Sequence, residues 1–145
     1  MFEHILVPVD GSPTSRQAIN KALGIAEKFG STITLIYVID PYAFTGVGTD
    51  FSYGQSEYLS AATAEAQDAI GAATRIFEEH AIPVKGSVVE GHTVYRSILD
   101  TAQAAGADLI IMGSNGRRGL EKLVLGSVAS KVLAHAHLAV LVVRD

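Results

Sequence analysis

The chain has 145 residues, 48% hydrophobic and 18% charged, with a net charge of −4 and no cysteine. That length suits a single domain around one core, and the composition is globular, neither disordered nor membrane-embedded. Without cysteine there are no disulfides, thiolate nucleophiles or cysteine metal sites, and an acidic balance argues against nucleic acid as a partner, which needs a basic face.

The run from His4 to Asp10 reads His-Ile-Leu-Val-Pro-Val-Asp and predicts a strand buried on both faces. Pro8 cannot donate to a ladder, so it belongs near the end of that strand. Met1-Phe2-Glu3-His4 offers no basic region followed by an apolar one, and the longest apolar runs are strand-sized. No signal peptide, no membrane association and a cytoplasmic location are therefore expected. Ser12-Pro13 reads as a helix N-cap and first helical residue. Ala18, Ala22, Ile25, Ala26 and Phe29 follow at helical spacing, with Ile19 and Leu23 beside them, up to a stop at Gly30. The β-branched stretch Thr32 to Ile39 predicts the second strand.

From Asp40 to Gln55 periodicity disappears. Gly46, Gly48 and Gly54 alternate with Tyr42, Phe44, Phe51 and Tyr53, which predicts a loop longer than most connections, its aromatics forming a lid, a partner surface or local packing. Ser56 to His80 predicts a helix with Leu59, Ala62, Ala66, Ile70, Ala73 and Phe77 on one face. Val84 to Glu90 reads as a strand, and Thr93 caps a helix that Gly106 stops. Asp108 to Met112 is a further buried strand. Gly113 to Leu125 is a loop with a turn of helix near Leu120; Gly126-Ser127 opens a helix through His135; Ala139 to Val143 is the last strand. Strict alternation means parallel strands with right-handed helical crossovers. The fold class is α/β, three layers around an open five-stranded parallel sheet, Rossmann-like, with order 3-2-1-4-5.

Ligands of such sheets bind beyond the carboxyl ends of the strands, where strand order reverses. The loop there reads Gly113-Ser114-Asn115-Gly116-Arg117-Arg118-Gly119 and closes on Gly126-Ser127. Glycines permit positive φ and a close approach to ligand, successive N–H groups make an anion-binding concavity, and the helix starting at Ser127 adds free N–H groups and a hydroxyl. Each glycine alone reads best as a turn; the ensemble suits a polyphosphate.

The spacing Gly113-x2-Gly116-x9-Gly126-Ser127 resembles the nucleotide-binding signature of the ATP-binding branch of the universal stress protein family. The resemblance covers the whole chain: the His4 to Ser12 segment resembles the family's first strand and turn, Asp108 to Ser114 its fourth strand, and Val140 to Arg144 its last. It implies that Pro8, Val9, Asp10 and Val38 line the adenosine end, that Met112 and Gly113 approach the ribose, and that Gly116, Gly126, Ser127 and Val128 hold phosphates. Asp10, an acceptor only, is assigned to ribose or base donors, against a local role at the helix terminus. Arg117 and Arg118 stand within reach of a terminal phosphate, although solvated loop arginines are the commoner case; Arg117 is counted with the binding set. Two departures from the family pattern, Ala139 where proline is common and His92-Thr93 where an acidic residue and proline are common, leave the phosphate loop untouched. His135 and His137 are wrongly spaced for two ligands on one helical face, and His92 is not assigned to the site.

No Gly-Lys-Ser or Gly-Lys-Thr, no Gly-x-Ser-x-Gly and no His-Glu-x-x-His occurs. No general base is identified beside the loop. The first reading is therefore a binding module whose ATP, with Mg²⁺ riding on the triphosphate, sets a state read by an unidentified protein partner. The other readings are a slow ATP hydrolase or adenylyl-transfer enzyme, and a nucleotide-independent dimeric scaffold. The apolar last strand at a sheet edge, and the resemblance, imply a homodimer through Ala139 to Val143.

Overall fold

Five strands alternate with four helices among the described residues: β1 (His4–Pro8), α1 (Pro13–Phe29), β2 (Thr32–Ile39), α2 (Thr49–Glu79), β3 (Val84–Glu90), α3 (Val94–Ala105), β4 (Leu109–Gly113), α4 (Ser127–His135) and β5 (Ala139–Val143). The computed structural model describes residues 1–41, 49–115 and 125–144, with only the backbone of 49–53 and 55. All strand pairings are parallel, and the sheet order is β3-β2-β1-β4-β5, the predicted one.

Alternation along the central strand sorts its side chains between two cores. Ile5, Val7 and Val9 face α1 and α2, where they meet Ala18, Ala22, Ala66 and Phe77. Leu6 turns the other way, toward Ile98 of α3 and Val132 of α4. Helices thus cover both faces, and the reversal of strand order falls between β1 and β4. Pro8 ends β1, and the ladder makes one further bond, Val9 N–H to the Ile36 carbonyl at 2.8 Å.

Helix α1 starts where the sequence places it. The Ser12 hydroxyl accepts from the Ser15 N–H, Pro13 is the first helical residue, and Gly30 closes the helix in the left-handed region at φ 69°. Phe29, assigned to the apolar face, instead packs edge-on against Phe2 with ring centroids 5.5 Å apart and stays about half exposed. The predicted face of α2 is buried as expected, from Ala66 to Phe77. Its start is not as expected: the helix begins at Thr49, seven residues before Ser56, the predicted start, so the end of the predicted loop is helical. Gly54 lowers local propensity by only about 1 kcal/mol, and once a long helix exists each added residue closes a hydrogen bond without a new nucleus.

Candidate functional site

A cleft of about 960 Å³ opens beyond the carboxyl ends of β1, β2 and β4, closed on one side by α2 and on the other by the start of α4. Pro8, Val9, Asp10, Val38, Met112, Gly113, Gly126, Ser127 and Val128 all line it. These residues come from three strand ends and one helix start, so the topology brings the sequence-selected set to one place. Gly116 and Arg117 lie outside the described residues, as do Arg118, the turn near Leu120, Tyr42, Phe44 and the side chains of Phe51 and Tyr53.

The cleft also has walls that the strand-end argument does not reach. Tyr58, Ala61, Ala62 and Glu65 line it from α2, Val94 and Ile98 from α3, and Ser12, Ser15, Ser114 and Asn115 from the turns. Tyr37 lies in the floor, and its hydroxyl approaches the Asp10 carbonyl at 3.4 Å.

Asp10 has the local role weighed above: one carboxylate oxygen accepts from the Ser12 N–H at 2.9 Å, while its own N–H donates to Ser15 Oγ at 3.2 Å. This Asx turn fixes the carboxylate at the cleft floor. The two arms of the long loop meet beside it. Ser114 donates its N–H to the Val143 carbonyl at 2.9 Å and accepts from the Gly126 N–H at 2.8 Å. The Thr14 hydroxyl donates to the Asn115 carbonyl and pins the same segment to the start of α1.

Space is short at both described glycines of the signature, most of all at Gly113. Gly126 has φ −64°, and Gly113 is not among the positive-φ glycines, so the expected left-handed conformation is not used at either. A Cβ on Gly113 would lie 2.7 Å from the Thr14 backbone carbon, and one on Gly126 would lie 3.0 Å from the Ser114 carbonyl oxygen. The glycines thus let the loop ends close on each other and on α1.

Helix α4 opens without a side-chain cap and without an acidic residue in its first turn. Its leading N–H groups and positive dipole end stand beside the cleft, as an anion site requires. Elsewhere the cleft is acidic: Asp10, Asp40 and Glu65 line it, with no lysine or arginine among the described lining residues. His92 lies outside the lining, its Nδ1 3.4 Å from an Asp40 carboxylate oxygen. His135 stacks on Tyr95, with ring centroids 5.1 Å apart. Among the described residues, no group of three His, Asp or Glu side chains could hold a metal ion, and no helix is long and apolar enough to cross a membrane. The Ser114 hydroxyl is buried and has no hydrogen-bond partner among the described residues. Such an orphan costs about 1–3 kcal/mol in a closed fold.

A parallel sheet with this strand order, helices on both faces and a cleft at the switch point defines a doubly wound, Rossmann-like α/β protein. The chain belongs to the universal stress protein family, whose model matches residues 1–144. It is 36% identical to universal stress protein MJ0531 of Methanocaldococcus jannaschii, over 99% of this chain and 83% of that protein. Its fold superposes on the universal stress protein UspA of Lactobacillus plantarum with a TM-score of 0.88 and 31% identity, over 99% of this chain and 98% of the other. Two more distant members were solved with nucleotides. One is an Archaeoglobus fulgidus protein in complex with dAMP (TM-score 0.71, 16% identity, 99% and 98% coverage). The other is a universal stress protein in complex with cAMP (TM-score 0.63, 24% identity, 99% and 97% coverage).

Proposed function

We propose that this chain binds an adenine nucleotide in the strand-end cleft, ATP with Mg²⁺ foremost, and works as a nucleotide-dependent regulator of a stress response. The observation that carries the reading is the joining of an apolar floor (Val9, Val38, Met112) to the uncapped start of α4 at Gly126-Ser127. A planar base suits the first, and a phosphate chain suits the second. Three carboxylates in the lining oppose a bare polyphosphate, so a divalent cation carried on the phosphates supplies the missing positive charge. The dAMP and cAMP complexes of more distant members of the family support an adenine nucleotide as the ligand class. The role is occupancy read by a protein partner, with hydrolysis incidental to it.

The test starts with protein purified without added nucleotide, denatured, and its released small molecules identified by mass spectrometry. Calorimetric titration with ATP, ADP, AMP and cAMP, with and without Mg²⁺, follows. Heat with none of these, and no released nucleotide, defeats the reading. A side chain at Gly126 would press on the loop itself, so Ser127→Asp is the cleaner variant. A carboxylate at this exposed first-turn position complements the helix dipole, worth about 0.3–1 kcal/mol, yet repels phosphate. The variant is expected to keep or raise the unfolding temperature and to lose affinity for phosphorylated ligands; unchanged ATP affinity would count against phosphates at α4.

A further inference from the structure

We infer that Ser114 is a ligand contact: its hydroxyl turns into the cleft and donates a hydrogen bond to a phosphate oxygen of the bound nucleotide. This rests on the adenine-nucleotide reading and adds to it a residue outside the glycine signature. Ser114 lines the cleft but is only 1% exposed, and among the described residues its Oγ is the buried side-chain polar atom without a partner. Its backbone is fully committed, the N–H to Val143 and the carbonyl to Gly126. The neighbouring hydroxyls are engaged: Thr14 donates to the Asn115 carbonyl, and Ser12 accepts from the Ser15 N–H and donates to the Asn115 carbonyl at 3.5 Å. Among the described residues Ser114 therefore holds the buried spare donor beside Gly126, behind the exposed hydroxyl of Ser127.

A serine hydroxyl moves by rotation about a single bond between staggered positions, and no hydrogen bond among the described residues holds this one in place. Buried hydroxyls are normally paired, and a group left over at the floor of a cleft is accounted for when the occupant pairs it. Phosphate is the occupant that rewards this most, because a hydrogen bond to a charged acceptor is the stronger kind. In a cleft lined by Asp10, Asp40 and Glu65, a neutral donor also adds to the few groups that favour an anion.

The experiment titrates adenosine, AMP, ADP and ATP into the wild-type chain, Ser114→Ala and Ser114→Cys, and measures the unfolding temperature of each without ligand. Both variants are expected to lose about tenfold or more in affinity for the three phosphorylated ligands, and nothing for adenosine. Their ligand-free unfolding temperatures should equal or exceed the wild-type value, since an orphan has been removed. Unchanged ATP affinity in both variants overturns the Ser114 contact alone. An equal loss for adenosine and ATP also overturns it, by moving the contact to the nucleoside. Lower affinity accompanied by a lower unfolding temperature overturns it in favour of a structural role. A wild-type chain that binds none of the four ligands removes the nucleotide reading itself, and this contact with it.

Discussion

Gly113 is a glycine for want of room. It is the last residue of β4, paired with Val143, and the start of α1 passes directly over it. A methyl group there meets the Thr14 backbone carbon at 2.7 Å, and backbone has nowhere to go. Gly113→Ala is expected to cost about 1–3 kcal/mol, the usual range for overpacking. The check is a lowered urea midpoint at unchanged slope, and Thr14→Ala in the same chain should restore little of it because the backbone contact remains. The signature glycines could be picked out in the sequence by their spacing, but not the reason for them. Positive φ is the default expectation for glycine in a loop; only the docking of α1 against β4, a long-range contact, shows that space is the constraint. Tyr58, Ala61, Ala62 and Glu65 were illegible as cleft residues for a similar cause. Periodicity tells which face of α2 is apolar, and says nothing about how far the helix reaches across the strand ends.

At the scale of elements, the opposite end of the sheet is tied by side chains from β1 and β2 and from the residue that precedes β4. The His4 ring bonds the Thr32 hydroxyl through Nδ1 and the Thr34 hydroxyl through Nε2, the latter at 2.6 Å. Asp108, just before β4, accepts from the Glu3 and His4 N–H groups at 3.0 and 3.1 Å. Burial pushes the His4 imidazole below its ordinary value of 6.5; Asp108 opposes this and Lys85 on β3 adds to it. As pH falls below 6.5, the unfolded chain takes up this proton before the folded one does. The contribution of His4 is therefore complete above 6.5 and is lost as pH falls toward the folded value. His4→Gln is expected to flatten part of the fall in unfolding temperature between about pH 7.5 and pH 5.5; parallel curves for variant and wild type would refute the assignment. Strand existence was legible because four of the five strands are short apolar or β-branched runs between turn residues, and β3, with Lys85, Gly86 and Ser87 in its middle, is the exception. The start of α2 was less so, since helix propagation overrides a single glycine.

At the scale of the molecule, the two edges of the sheet differ in how they are guarded. Edge strand β3 carries Lys85 and Glu90 and is exposed at both of them and at Gly86 and Ser87. Charge on an edge is a standard defence against pairing with another chain. Edge strand β5 reads Ala-Val-Leu-Val-Val and carries no charge. Leu141 on β5 is 38% exposed, and Leu133 on the preceding α4 is 44% exposed. An unguarded apolar edge pairs most economically with its own copy, because a two-fold axis satisfies both open edges with one set of contacts and leaves nothing to extend. The expected assembly is a homodimer through β5, with the cleft of each copy left open, since Leu141 does not line it. Leu141→Lys gives this edge the defence that β3 already has. It should halve the mass seen by light scattering while leaving calorimetric nucleotide affinity unchanged. Little stability is at stake within one chain, because an exposed leucine on an edge buries little when the chain folds. A wild-type chain of single-copy mass, or a variant that keeps the doubled mass, would remove β5 as the interface.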